Sequence, residues 1–119
     1  MKNNYKDTDS RPWGKYFILY EDELCKIKKI IVKPKSRLSY QYHNKRSETW
    51  KIINGFGNIT INGKSKKIKP GDVIEIGVGV KHRVENTGEN KLVFIEIQTG
   101  IYFGEDDIVR IEDDYNRIK

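Results

Sequence analysis

With 119 residues, 36% of them hydrophobic and 34% charged, the chain has material for one modest core and not for two, and it is too apolar for a disordered segment. The formal charge of +6 is scattered, its densest group being KSKKIK from Lys64 to Lys69. That group reads as a solvated basic face, so no nucleic acid is expected, although such a surface would steer phosphorylated small molecules inward. The lone Cys25 excludes an intrachain disulfide, and no long apolar run or basic leader suggests a membrane span or signal peptide, so a cytoplasmic protein is expected.

In chain order, alternation predicts strands at Lys15–Tyr20 and Cys25–Val32, a break at Pro34, then strands at Leu38–His43 and Thr49–Asn54. Asn54-Gly55 punctuates the chain before Asn58–Ile61, where Ile59 and Ile61 share a face. Asn62-Gly63 then signals a type I′ hairpin into Ser65–Ile68. Pro70-Gly71, Gly77 to Gly79 and Thr87-Gly88 separate three more strands, Asp72–Ile76, His82–Asn86 and Leu92–Gln98. The stretch EDDIVRIEDDYNRIK is the one plausible helix, a short C-terminal tail with Asp106 or Asp107 pairing with Arg110 within a turn. Many short strands at regular spacing make an all-β sandwich or barrel.

Two histidines serve the whole chain, His43 and His82. Gln41 and His43 share one strand face, and Glu48, Trp50 and Ile52 share another in the next strand. The short polar connection NKRS predicts a hairpin that brings His43 and Glu48 together. Two imidazoles and a carboxylate form a donor set for Zn²⁺, Fe²⁺, Mn²⁺ or Ni²⁺, with His82 as the second imidazole and positions left open for a substrate oxygen. Taken singly, each histidine reads as a hydrogen-bonded surface or core residue, and a lone Gln-x-His pair is better explained that way than as a ligand pair. In the last strand Leu92, Phe94, Glu96 and Gln98 share a face, which either aims Glu96 into the barrel or leaves it solvated. Trp50 and Tyr42 are expected to be core or interface rather than sugar platforms.

The spacing from Pro34 to Gly55 resembles the first cupin motif: Gln41-Tyr42-His43 stands where H-x-H would be, four residues precede Glu48, and six separate Glu48 from Gly55. Gly71, Gly77, Gly79, His82 and Asn86 match the second motif, G-x5-P-x-G-x2-H-x3-N, with Gly77 in place of proline. The blocks RPWGKY, LSYQYHNKRSETW and IEIQTGIYFGEDDIVRIEDDYNR resemble the cupin domain at the C-terminus of bifunctional mannose-1-phosphate guanylyltransferase/mannose-6-phosphate isomerases. This resemblance implies one cupin domain over residues 1–119, a double-stranded β-helix jelly roll with motifs at about 34–55 and 71–86. The nucleotidyltransferase signature has no counterpart, so the isomerase module is implied alone.

Carried over by residue, the resemblance makes Gln41, His43, Glu48 and His82 ligands of a divalent metal, zinc first, with manganese, iron, nickel or cobalt as alternatives. Arg46 matches the arginine associated with isomerase activity, and the family block Q-x-H-H-H-R-x-E-H-W departs at Asn44, Lys45 and Thr49, none of them an expected ligand. The implied reaction interconverts mannose 6-phosphate and fructose 6-phosphate, with Glu96 as a candidate proton carrier and Lys45 and Arg46 as candidates for holding the phosphate. A nucleotide-sugar epimerase or ketoisomerase and a noncatalytic sugar-binding cupin are the alternatives. Because jelly rolls expose sheet edges, a homodimer is expected.

Overall fold

The computed structural model describes residues 7–117. Eleven strands occur among these residues: β1 (Asp7–Arg11), β2 (Gly14–Glu21), β3 (Cys25–Val32), β4 (Tyr40–Tyr42), β5 (Arg46–Asn54), β6 (Gly57–Ile61), β7 (Lys64–Ile68), β8 (Val73–Ile76), β9 (His82–Asn86), β10 (Leu92–Gly100) and β11 (Val109–Glu112). They form two antiparallel sheets, six-stranded in the order β1-β2-β3-β10-β5-β8 and five-stranded in the order β11-β4-β9-β6-β7. This is the all-β cupin jelly roll the motifs imply. No helix of the described residues is long and apolar enough to cross a membrane.

Alternation decides which side chains enter the space between the sheets. In β10, Leu92, Phe94, Glu96 and Gln98 are all buried, so Glu96 faces inward. The hairpin at Asn62-Gly63 forms with φ of 49° and 82° at its two central residues, the left-handed pair that a type I′ turn needs. In β3 the inward face is Lys26, Lys28, Ile30 and Val32, so two lysines point into the barrel while Ile27 and Ile31 lie on its outer side. The core is centred on Trp50, stacked on Phe94 at 4.3 Å between ring centroids, with Ile52, Ile59, Val84 and Leu92 around it. The lysines of β7 lie on the exposed surface, the solvated face expected of them.

Three expectations are corrected. The predicted helical tail is absent: β11 occupies Val109–Glu112 and pairs with β4, Val109 opposite Tyr42 and Arg110 opposite Gln41. The β-branched alternation of Val109 and Ile111 suits a strand, and β4 offers an open edge that a helix would leave unpaired. The expected ion pair with Arg110 does not form, because the Asp107 carboxylate accepts from the backbone N–H groups of Asn44 and Lys45 while Asp106 accepts from the Tyr102 hydroxyl. Nor do β4 and β5 make a hairpin. They lie in different sheets, and residues 43–45 cross between them. β1 is an edge strand whose polar sequence, DTDSR, carries no strand signal.

Candidate metal centre

The crossing at residues 43–45 is what brings the two histidines together. His82 begins β9, beside Gln41 of β4, and His43 follows directly after β4, where its carbonyl accepts from the Gly79 N–H at 2.7 Å. The imidazoles lie 5.3 Å apart between ring centroids. Glu48 enters from the opposite sheet, on the inward face of β5 with Trp50 and Ile52. One ligand atom from each of His43, Glu48 and His82 lies within 4.8 Å of the others, and all three residues are buried.

Each side chain is held by a neighbour that fixes its orientation. His43 Nδ1 is 2.7 Å from the Asp107 carbonyl, and His82 Nδ1 is 2.9 Å from the Val80 carbonyl. A carbonyl only accepts, so in both rings Nδ1 carries the proton and Nε2 presents a lone pair. His82 Nε2 is buried without a hydrogen-bond partner. Such an orphaned acceptor is costly unless something fills it, and a divalent metal fits it chemically. Glu48 accepts from the Trp50 indole N–H at 2.9 Å and from Arg46 Nε at 2.8 Å, with Oε2 also 3.3 Å from His43 Nε2. Gln41 lines the same cavity and accepts from the Ser39 hydroxyl at 3.0 Å.

The electrostatics sort these groups. Burial pushes both imidazoles below their ordinary pKa, keeping them neutral and able to donate lone pairs. Burial is the largest influence on Glu48 and pushes it upward, but the Arg46 guanidinium, the two imidazoles and the Trp50 indole N–H together outweigh it and hold the carboxyl at about 2, ionised. Glu96 goes the other way. Buried, and facing the charge of Glu48, it rises to about 8 despite Lys28 and Arg46, and it accepts from the Gln98 amide at 2.5 Å. Two carboxyl groups of opposite protonation thus share one site, the arrangement acid–base chemistry uses.

The cavity encloses about 80 Å³ between the sheets. Gln41, His43, Arg46, Glu48 and Glu96 line it, while His82 touches His43 without being part of the lining. Lys45 is outside this lining: it is exposed, with its ammonium over the Tyr102 ring at 5.0 Å. Sequence reasoning passed over Lys28, which lines the cavity and pairs with Glu105 at 2.5 Å, and it offered Asp107 to Arg110, whereas Asp107 ties its loop to His43. The parity of β3, with Lys28 in step with Ile30 and Val32, is a signal that would have found the first. Nothing local marks the second.

Residues 2–113 match the family described as mannose-6-phosphate isomerase C-terminal. A mannose-1-phosphate guanylyltransferase from Salmonella montevideo is 46% identical over 107 residues, 90% of this chain and 23% of that protein. The xanthan biosynthesis protein XanB from Xanthomonas campestris pv. campestris is 40% identical over 107 residues, again 90% of this chain and 23% of that protein. This chain therefore spans under a quarter of the length of the curated relatives it matches. A Klebsiella pneumoniae protein with a double-stranded β-helix domain superposes with a TM-score of 0.73 at 18% identity, covering 95% of this chain and 90% of that one, which supports the fold. Matched over nearly its whole length and carrying the family's motif residues in one buried cluster, the chain belongs to the mannose-6-phosphate isomerase C-terminal family.

Proposed function

We propose that this domain is a metal-dependent sugar-phosphate isomerase interconverting mannose 6-phosphate and fructose 6-phosphate. The observation that carries the reading is the pairing of a buried His43–Glu48–His82 donor set, its His82 Nε2 unpartnered, with a carboxyl raised to about 8 in the same barrel. Gln41 is a fourth donor at the cavity wall. A divalent metal held there would supply Lewis-acid polarisation of the sugar carbonyl.

The chain's own groups account for the rest. Glu96, ionised, takes the proton from C2 of mannose 6-phosphate and returns it to C1 of the enediol, while the O2 hydroxyl proton passes to O1. In the metal-free protein burial and the Glu48 charge raise Glu96 to about 8; with that charge offset by a divalent cation on Glu48, the ionised carboxylate that accepts the proton is favoured. Arg46 keeps Glu48 ionised and places positive charge where negative charge develops on the substrate oxygens. The Nδ1–H bonds to Asp107 and Val80 hold the imidazoles in the donor tautomer.

Metal analysis of the purified protein followed by an isomerisation assay tests this reading. Stoichiometric metal and turnover that chelation abolishes and metal restores are expected. Metal-replete protein that turns over no hexose phosphate would overturn it, and tight sugar-phosphate binding in that protein would mark a noncatalytic cupin.

A further inference from the structure

Beside Gln41, the cavity wall carries more positive charge than its acids balance. Arg11, Arg110 and Arg117 all line it. Two of them have their own carboxylates: Arg11 NH1 is 2.6 Å from Asp9, and Arg117 binds both oxygens of Asp113 at 2.8 and 2.9 Å. The nearby Glu105 is taken by Lys26 and Lys28. Arg110 has no such partner among the described residues, and its Nε is buried without a hydrogen bond. Burial and the charges of Arg117 and Arg11 disfavour its cation, with Asp113 offsetting them in part. A guanidinium held among other cations, facing a cavity, with an unused donor, is short of an anion.

Its position specifies the anion. Arg110 pairs across the sheet with Gln41, and Gln41 with His82, so the three stand in a row on adjacent strands. Directly paired residues project to the same face, and two strand spacings are about 10 Å. A group bound at Arg110 is thus separated from the histidine end by a span that a hexose chain fills. We propose that Arg110, flanked by Arg11 and Arg117, binds the phosphoryl group of the substrate, with the reacting carbons of the sugar directed toward Glu48 and Glu96. This rests on the sugar-phosphate isomerase reading for the sugar, and on the cationic wall alone for the phosphoryl group. It moves the phosphate away from Lys45 and Arg46, the first exposed outside the cavity and the second already bonded to Glu48.

The test is calorimetric titration of zinc-loaded wild-type and Arg110→Gln protein with mannose 6-phosphate, mannose and inorganic phosphate. In Arg110→Gln, mannose 6-phosphate and inorganic phosphate should bind on the order of 10- to 100-fold more weakly, the loss expected for a hydrogen bond to a charged group. Mannose affinity, zinc stoichiometry and melting temperature should hold, and Arg110→Lys should recover part of the loss because it keeps charge without the planar fork. If Arg110→Gln fails to fold, Arg110→Met, which keeps the aliphatic stem, replaces it with the same expectation. Unchanged mannose 6-phosphate affinity in the folded variant, or wild-type protein that binds no phosphate, overturns the assignment. Turnover is scored separately. Arg110-dependent phosphate binding without turnover leaves the site standing and removes the isomerase reading, and turnover with Arg110-independent binding does the reverse.

Discussion

Asp107 holds His43 in place through two different groups. Its carbonyl is 2.7 Å from His43 Nδ1, and its carboxylate accepts from the N–H groups of Asn44 and Lys45 at 3.0 and 2.9 Å. The loop before β11 is thereby fastened to the crossing that carries the first histidine, and the ring's donor tautomer depends on that fastening. Asp107→Ala removes the carboxylate and loosens the carbonyl. Zinc affinity, measured by competition with a chromophoric chelator, should fall on the order of 10- to 100-fold. An unchanged dissociation constant would mean that the strands alone position His43.

Arg46 is buried and bonded to Glu48, so its removal has two separable effects. Turnover of mannose 6-phosphate should drop by a factor on the order of 100 or more in Arg46→Ala, the range for loss of a charge-stabilising donor. The metal-free variant should also lose about 3 kcal/mol of stability, because Glu48 is left as an unpaired buried charge. Metal should restore part of that, giving Arg46→Ala a larger rise in melting temperature on zinc addition than wild type shows. Wild-type turnover in Arg46→Ala would remove this residue from the mechanism.

Glu96 makes the metal-free protein sensitive to base. Its folded pKa of about 8 exceeds the ordinary value of 4.5, so between these limits the folded state binds the extra proton. Stability from this group is therefore whole below pH 4.5 and falls as pH rises toward about 8, by at most about 1.4 kcal/mol per pH unit. Glu96→Gln should flatten that decline in urea titrations of metal-free protein between pH 5 and about 8, and should abolish isomerisation. Parallel stability curves for the two proteins would show that Glu96 is not held protonated.

Assembly follows from the sheet edges. Among the described residues β8 and β7 each end a sheet with one side unpaired, and pairing through a symmetric copy would close such an edge. A homodimer is expected by light scattering at micromolar concentration, and a monomer there would refute it.

Much of this was legible in the chain because it is local. Period-two alternation put Leu92, Phe94, Glu96 and Gln98 on one face, and Asn62-Gly63 has the residues a type I′ turn requires, whatever lies elsewhere in the fold. The spacing of Gln41, His43, Glu48 and His82 marked the donor set through its likeness to the cupin motifs, though not its geometry. What the tertiary structure decided is what depends on distant partners. A short polar connection such as NKRS is compatible with a hairpin or with a crossing, and only the pairing of β4 with β9 and of β5 with β10 selects the crossing. Residues 109–112 became a strand because β4 presented unpaired backbone groups, an edge created by chain some seventy residues earlier. That pairing also set Arg110 in line with Gln41 and His82, since the register of a strand is a property of two segments and cannot be read from one.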